Sequence, residues 1–229
     1  DVTYQTKEGT RELVYATSWG VSTRLIGALV MVHGDDQGLV LPPKVAPIQA
    51  VGVPIYKKDE ERAAVIEALE GVGKALAGKV RFKLDGRPEV TPGYKFNEWE
   101  LKGVPVRIEI GPRDLKSGQA VLVRRDVREK RPVPIAGIPE AVAGLLDTIQ
   151  HDLLERARKF VAEHTYPVKT WDEFKALIEK GGFLRGPFCG TKPCEDRLKD
   201  ECKATVRCIP LENSAPTGPC AVCGGKAEW

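Results

Sequence analysis

The pattern of hydrophobic and polar positions divides the chain into three parts. In the first part, apolar runs at residues 13–16 and 25–32 are typical of short strands, and turn residues separate them. Two consecutive prolines at residues 42–43 end this part, because proline fixes φ and removes a backbone donor. We therefore predict strands within residues 11–41 and a domain boundary after residue 43.

The second part alternates strands with a helix. An apolar run predicts a buried strand at 45–56, and apolar residues recurring every three or four positions predict a helix at 60–78. Three segments alternate apolar and charged residues and predict further strands, at 79–86, 103–111 and 119–126. This alternation predicts an α/β domain over residues 44–138.

From Pro139 the hydrophobic period is that of helices. Apolar residues at helical spacing extend from Val142 to Phe160, and a second helix is predicted to start at the cap Thr170 and end at Gly181. All six cysteines follow within 37 residues. We predict a small α+β domain over residues 139–229.

Composition narrows the classes of protein. No apolar run approaches the roughly 18 residues of a membrane span. The net charge is only +3, so an interaction with nucleic acid depends on how the basic residues are distributed. The first 188 residues contain no cysteine, which favours a reducing compartment and a local metal site over a disulfide framework.

Four of the cysteines have the spacing of a metal site. Cys220 and Cys223 are separated by two residues and followed by two glycines, which is the form of a zinc knuckle. Cys189 and Cys194 form a looser pair, in which Gly and Pro bend the chain. Four thiolates would close a tetrahedral coordination sphere, so we predict one structural zinc ion.

The two remaining cysteines are predicted to be small buried hydrophobic residues. Cys202 shares a helical face with Leu198, and Cys208 lies in a strand-like run. The alternative is a cluster of three disulfides, which the cysteine-free remainder of the chain makes less favourable.

Arg24 stands out in the first part of the chain. It opens an apolar segment and follows the hydroxyls of Ser22 and Thr23. A guanidinium group at this place suits a fixed anion such as phosphate, although an arginine that reaches into solvent is an equal alternative.

Three stretches carry a family resemblance. "TSWGVSTRLIGAL" (17–29) resembles motif 3 of a class II aminoacyl-tRNA synthetase, and "GLVLPPKVAP" (38–47) resembles the junction that follows it in class IIa enzymes. "KFNEWELKGVPVRIEIGPRD" (95–114) is similar to the middle of an anticodon-binding domain. These stretches are most similar to prolyl-tRNA synthetases of the archaeal/eukaryotic type, and the resemblance extends over essentially the whole chain.

The resemblance implies an architecture. Residues 1–43 would be the end of the antiparallel catalytic sheet, residues 44–138 an α/β anticodon-binding domain, and residues 139–229 a zinc-binding domain whose four cysteines have this spacing. It also implies a longer parent protein that supplies motifs 1 and 2, so this chain alone would be inactive.

The resemblance also implies an activity. The parent would be a cytoplasmic homodimer, without membrane attachment, that activates L-proline with ATP and Mg²⁺ and transfers it to tRNA(Pro). Arg24 would grip ATP as a catalytic residue, and Ser22 would line the nucleotide site.

Basic residues are predicted to bind tRNA. They crowd one hairpin-like stretch and the outward faces of neighbouring strands, and they comprise Arg81, Lys83, Arg107, Arg124, Arg125, Arg128, Lys130 and Arg131. Composition alone favours a solvated face, whereas the resemblance favours an electrostatic footprint for tRNA. Arg107 and Glu109, on the outward face of one strand, are our candidates for base recognition. Tyr94, Phe96 and Trp99 are predicted to be core or rim.

Two other classes of protein remain open. A freestanding RNA-binding adaptor would combine an anticodon-binding-like domain with a zinc knuckle and lack ATP binding. Another class IIa synthetase, for threonine, glycine or histidine, would leave the cysteine tail unexplained. The three histidines have no ligand spacing with the cysteines, and Asp35 and Asp36 are predicted to form a turn.

Overall fold

A computed structural model describes residues 2–211 and 216–229, which form two compact units. The sheet unit comprises Asp1–Gln150, and the cysteine unit comprises His151–Trp229. The domain boundaries after residues 43 and 138 stay predictions. In the part of the chain that the structure describes, no helix is long and apolar enough to cross a membrane.

The sheet unit begins with short elements. Strands β1 (Thr3–Gln5) and β2 (Arg11–Leu13) pair antiparallel. The segment that we predicted to be a strand at 25–32 is helix α1 (Arg24–Val32), so that prediction was wrong. Its apolar run has no alternating pattern, and a run of this kind does not distinguish a buried strand from a helix. A two-residue ladder of β3 (Gly34–Asp35) and β4 (Gly38–Leu39) follows.

A five-stranded mixed sheet forms the centre of this unit. Its strands are β5 (Ala50–Pro54), β6 (Phe82–Leu84), β7 (Val106–Ile110), β8 (Gln119–Arg124) and β9 (Lys130–Pro134). Their order is β6-β5-β7-β8-β9, with β6, β5 and β7 parallel and the last two pairings antiparallel. The predicted mixed α/β fold of this region is therefore confirmed.

Helices of the sheet unit are α2 (Asp59–Leu76), α3 (Pro92–Leu101), the short α4 (Pro112–Ser117), a 3₁₀ turn (Ile135–Gly137) and α5 (Ile138–Glu163), which continues into the cysteine unit. The predicted stripe of α2 is buried, namely Val65, Leu69, Val72 and Leu76. It contacts the edge strand β6 and its neighbour β5.

Helix α3 was not predicted, and it changes the second face of the sheet. Trp99 and Phe96 of this helix pack with Val51 and Val53 of β5. Every residue of β5 and β7 is buried as a result. Side chains on the face of β7 that we expected to be exposed are therefore covered.

Short elements make up the cysteine unit. Strands β10 (Thr165–Pro167) and β11 (Phe183–Arg185) pair in parallel, and the helices are α6 (Trp171–Ile178) and α7 (Lys192–Cys202). Thr170 caps α6 as predicted, because its hydroxyl accepts a hydrogen bond from the Glu173 amide. A small core of cysteines, Leu198 and Val222 packs against Trp171, Phe174 and Phe188.

Candidate tRNA interface and metal centre

A polar pocket opens where strand β6 ends. Its volume is about 310 Å³, and its lining comprises Lys83, Leu84, Asp85, Gly86, Arg87, Glu98, Trp99 and Lys102. The residues after β6 meet the C-terminal half of α3 here. Ligands of open α/β sheets bind in this location, beyond the carboxyl ends of parallel strands.

Asp85 organises this polar pocket. Its carboxylate accepts hydrogen bonds from Arg87 Nε and Nη2 at 2.8 and 2.7 Å and from Trp99 Nε1 at 2.8 Å. The buried Lys95 donates to the Asp85 carbonyl at 3.0 Å. Burial raises the pKa of Asp85, but the hydrogen bonds from Arg87 and Trp99 outweigh it and bring the pKa to about 2. The carboxylate is therefore ionised at neutral pH.

Basic side chains form one wall of the polar pocket, namely Lys83, Arg87 and Lys102. Lys102 Nζ donates to Glu98 at 2.6 Å, and Arg87 also donates to Glu98, so the pKa of Glu98 is lowered. The ammonium groups of Lys102 and Lys83 lie 4.7 and 5.2 Å from the centre of the Trp99 ring. The wall thus presents donors and acceptors in fixed positions, which suits a polar planar ligand with phosphates beside it. Of the whole lining, our sequence reasoning named Lys83 as a tRNA contact and overlooked the other charged residues.

Arg107 and Glu109 are not exposed as predicted. Both are buried, and Arg107 Nε donates to Glu109 at 2.9 Å while Nη1 donates to Glu100 at 2.7 Å. The Arg107 guanidinium lies 4.1 Å from the centre of the Phe96 ring. The expected exposure was wrong because α3 covers this face; a role in tRNA binding stays a prediction.

The predicted basic hairpin exists as β8 and β9, but its arginines differ. Arg124 is half-buried and donates to Asp126 at 3.0 and 2.7 Å. Arg125 is buried; its guanidinium donates two hydrogen bonds to Asp35, at 2.9 and 2.6 Å, and one to the Glu100 carbonyl at 3.1 Å. Arg128 is exposed. Among these three, Arg128 is the one that is open to a ligand.

Asp35 joins the β3–β4 turn to the sheet. It accepts a hydrogen bond from the Gln37 amide at 2.9 Å, as a turn-forming aspartate does. The hydrogen bonds from Arg125 hold the pKa of Asp35 well below its ordinary value. The sequence predicted the turn but not this ion pair.

Ser22 and Arg24 lie together at the start of α1. Both are exposed, and the Leu25 amide donates to the Ser22 carbonyl at 3.1 Å. None of the residues of α1 is buried. The amino end of a helix favours anions, which agrees with the predicted contact to ATP; that role itself stays a prediction.

Four cysteines meet in the cysteine unit, and they are the four that the spacing predicted. The sulfur atoms of Cys189, Cys194, Cys220 and Cys223 all lie within 4.8 Å of one another. Four thiolates around one zinc at about 2.3 Å would stand about 3.8 Å apart, so this donor set fits a tetrahedral metal ion with little adjustment. All six cysteines have free thiols.

The backbone around these sulfurs is a knuckle. The Cys220 amide donates to the Gly225 carbonyl, and the Gly224 amide donates to the Cys220 carbonyl, each at 2.8 Å. Gly224 has φ 72°, a left-handed conformation that glycine adopts without cost. The Gly225 amide reaches Cys223 Sγ at 3.4 Å.

The local environment shifts the pKa values of two of these thiols in opposite directions. A hydrogen bond with Thr191 lowers the pKa of Cys189 to about 6, whereas burial raises the pKa of Cys194 to about 12. Metal binding would deprotonate all four thiols.

The other two cysteines lie outside this cluster. Cys202 is half-buried at the end of α7, and burial raises its pKa. Cys208 is exposed, so our prediction of a buried residue was wrong for it. The run that we predicted to be strand-like, residues 206–210, forms no strand in the structure, since no neighbouring backbone pairs with it.

Comparison with known proteins defines the class. Residues 49–145 match the family model "Anticodon binding domain", and residues 171–229 match "Prolyl-tRNA synthetase, C-terminal". Together with the sheet and the cysteine cluster, these matches define a region of an aminoacyl-tRNA synthetase.

The relatives specify the family. The chain is 49% and 50% identical, over 231 residues and 100% of its length, to the proline--tRNA ligases of Chloroflexus aurantiacus and Chloroflexus aggregans. It is 48% identical over 227 residues to the proline--tRNA ligase of Roseiflexus sp., 98% of the chain and 47% of that protein. The chain belongs to the prolyl-tRNA synthetase family. It spans about half the length of these relatives, 48% in both Chloroflexus proteins.

Proposed function

We propose that the chain is part of a proline--tRNA ligase that activates L-proline with ATP and transfers it to tRNA(Pro). The observation that carries this proposal is the identity of about half of all residues over the whole chain, including the segment before residue 49. The six free thiols support a reducing compartment such as the cytoplasm. Assembly as a homodimer follows the family and is part of the proposal.

The polar pocket is our proposed reader of the anticodon. Sequence-specific RNA recognition acts on unstacked bases of loops, through hydrogen bonds to their edges. Asp85 fixes Arg87, and Glu98 fixes Lys102, so the two cations meet a base or its phosphate with little loss of side-chain freedom. Arg128 adds a phosphate contact. Arg107 and Glu109 would affect tRNA binding indirectly, because they hold α3 against the sheet.

Arg24 and Ser22 are proposed to complete the ATP site. A fixed guanidinium would hold the triphosphate, which binds with Mg²⁺, while the proline carboxylate attacks the α-phosphorus. The exposed apolar residues of α1 would then be covered by the catalytic part of the parent protein.

The four clustered cysteines are proposed to bind one structural zinc ion. Four thiolates leave no position open for substrate, so the ion would stabilise the cysteine unit and take no part in catalysis.

Pyrophosphate exchange tests the enzymatic part of the proposal. We expect the full-length parent to exchange pyrophosphate in the presence of proline and the 229-residue chain alone to show no exchange. In the parent, Arg24→Ala should lower the rate about 100-fold, the scale of losing one charge partner of a transition state. Arg11→Ala removes an exposed arginine of β2 and serves as the matched control.

Exchange at the wild-type rate in Arg24→Ala would refute the role of that residue. A parent that binds tRNA(Pro) but shows no exchange would instead support the adaptor.

The anticodon reader is tested separately on the chain. Arg87→Ala and Lys102→Ala should each weaken binding of a tRNA(Pro) transcript about tenfold, the scale of losing one good contact to a base. Lys79→Ala removes an exposed cation that precedes β6, before the opposite end of this strand from the pocket, and should have little effect. Equal losses from all three variants would place the RNA elsewhere.

A further inference from the structure

Four of the helices that the structure describes have threonine at the N-cap, and two of these threonines, Thr23 and Thr191, make no capping hydrogen bond through the side chain. Thr91 and Thr170 accept hydrogen bonds from the amides of Tyr94 and Glu173, each at 3.3 Å, as capping residues do. Thr191, the N-cap of α7, makes no such bond. Its Oγ1 lies 3.1 Å from Cys189 Sγ instead.

The local sequence contributes to this difference. A capping hydroxyl accepts from the second or third residue of a helix, and in α7 the second is Pro193, which has no N–H, so only the amide of the third residue remains as a donor. Gly190 has φ 72°, so the chain reverses between residues 189 and 191 and the hydroxyl reaches the sulfur. A side chain at Gly190 would also approach Trp229 Nε1 to 3.2 Å.

We propose that Thr191 is a positioning residue of the metal centre: its hydroxyl donates to the Cys189 thiolate and fixes the direction of that ligand. The inference rests on the metal site proposed above. A metal-bound thiolate carries no proton, so the hydroxyl is the donor in this pair. Cys189 is buried; the Thr191 amide and the thiols of Cys194 and Cys220 also act on its sulfur, and the Thr191 hydroxyl acts on Cys194 as well.

Loss of a group that orients a metal ligand typically weakens metal binding about 10- to 100-fold. We expect this loss for Thr191→Val, which keeps the shape of the side chain and removes the hydroxyl. Thr191→Ser keeps the hydroxyl and should stay within about threefold of the wild type. Thr170→Val removes the capping hydroxyl of α6 in the same unit, and it should leave metal affinity unchanged.

Zinc affinity of the 229-residue chain and its variants is measured by competition with a chromophoric chelator. The cobalt-substituted chain gives a second signal, because a hydrogen bond stabilises the sulfur lone pairs. In Thr191→Val, the sulfur-to-cobalt absorption band should move to longer wavelength, a change that a purely structural role would not produce.

The metal-binding measurements test the metal site and the role of Thr191 separately. If the wild-type chain binds neither metal, the proposed metal site fails. If it binds zinc and Thr191→Val has the same affinity and the same cobalt spectrum, the metal site stands and the role of Thr191 is overturned. If Thr191→Val does not fold, Thr191→Ser decides: binding weakened tenfold despite its hydroxyl would overturn the proposal, and near-wild-type binding supports it.

Discussion

The two units of the chain differ in how much buried apolar core each contains. In the sheet unit, β5 and β7 are buried along their whole lengths, and α2 adds a continuous apolar stripe. In the cysteine unit, the small core consists of three cysteines with Leu198 and Val222, and α6 buries no residue completely. Apolar burial supports the first unit, whereas we propose that the second also depends on a metal ion bound by its thiols.

Removal of the metal should give the largest difference in behaviour between the two units. A strong chelator, or Cys220→Ser, should abolish binding of one zinc per chain and unfold the cysteine unit, because metal binding supplies folding free energy. Hydrogen exchange should then show loss of protection in α7 while α2 and β7 keep theirs.

Two variants serve as controls for this experiment. Cys202→Ser and Cys208→Ser should keep the zinc, since neither residue belongs to the cluster. Full protection of α7 in metal-free Cys220→Ser would show that the cysteine unit does not need the metal.

The sheet unit has its own weak point in Asp85. Asp85→Asn should lower its free energy of unfolding by about 3–5 kcal/mol, since the Lys95 side chain, 1% exposed, loses its charge partner. Urea unfolding followed on the sheet unit measures this change. Glu67→Gln, an exposed residue of α2, is the control and should change stability by less than about 0.5 kcal/mol.

The same residue predicts a dependence on pH. The pKa of Asp85 is about 2 in the folded chain, below the roughly 3.9 of an unfolded aspartate. Its contribution, about 2–3 kcal/mol, is therefore present above pH 4 and is lost as the pH falls toward 2. The stability difference between wild type and Asp85→Asn should shrink over this range, and a constant difference would contradict the role of ionisation.

A smaller effect is expected at the β3–β4 turn. Asp35→Asn should cost about 1–3 kcal/mol, less than a fully buried pair, because the Asp35 side chain is 37% exposed. Asp36→Asn changes the neighbouring exposed carboxylate and should be nearly neutral. Thermal unfolding of both variants compares them directly, and equal effects would mean that the ion pair with Arg125 adds nothing.

The elements that could be predicted from the sequence are those with a regular local pattern. Helix α2 and strands β5 and β7 carry a strong period, and the four clustered cysteines carry a spacing, so all were predictable. Helix α3 begins with Pro92 and Gly93, which are typical of a turn, and its buried Lys95 interrupts the apolar pattern. The polar pocket depends on α3 meeting the end of β6, a contact that exists only in the tertiary structure.

The most direct test of the proposed function is the affinity of the chain for two RNAs. One is a tRNA(Pro) transcript, and the other is the same transcript with the anticodon of another amino acid, measured at several salt concentrations. We expect binding of both to weaken as salt rises, and the native anticodon to bind at least about tenfold more tightly at every concentration. Equal affinity for the two transcripts would contradict the proposal that this chain reads the anticodon.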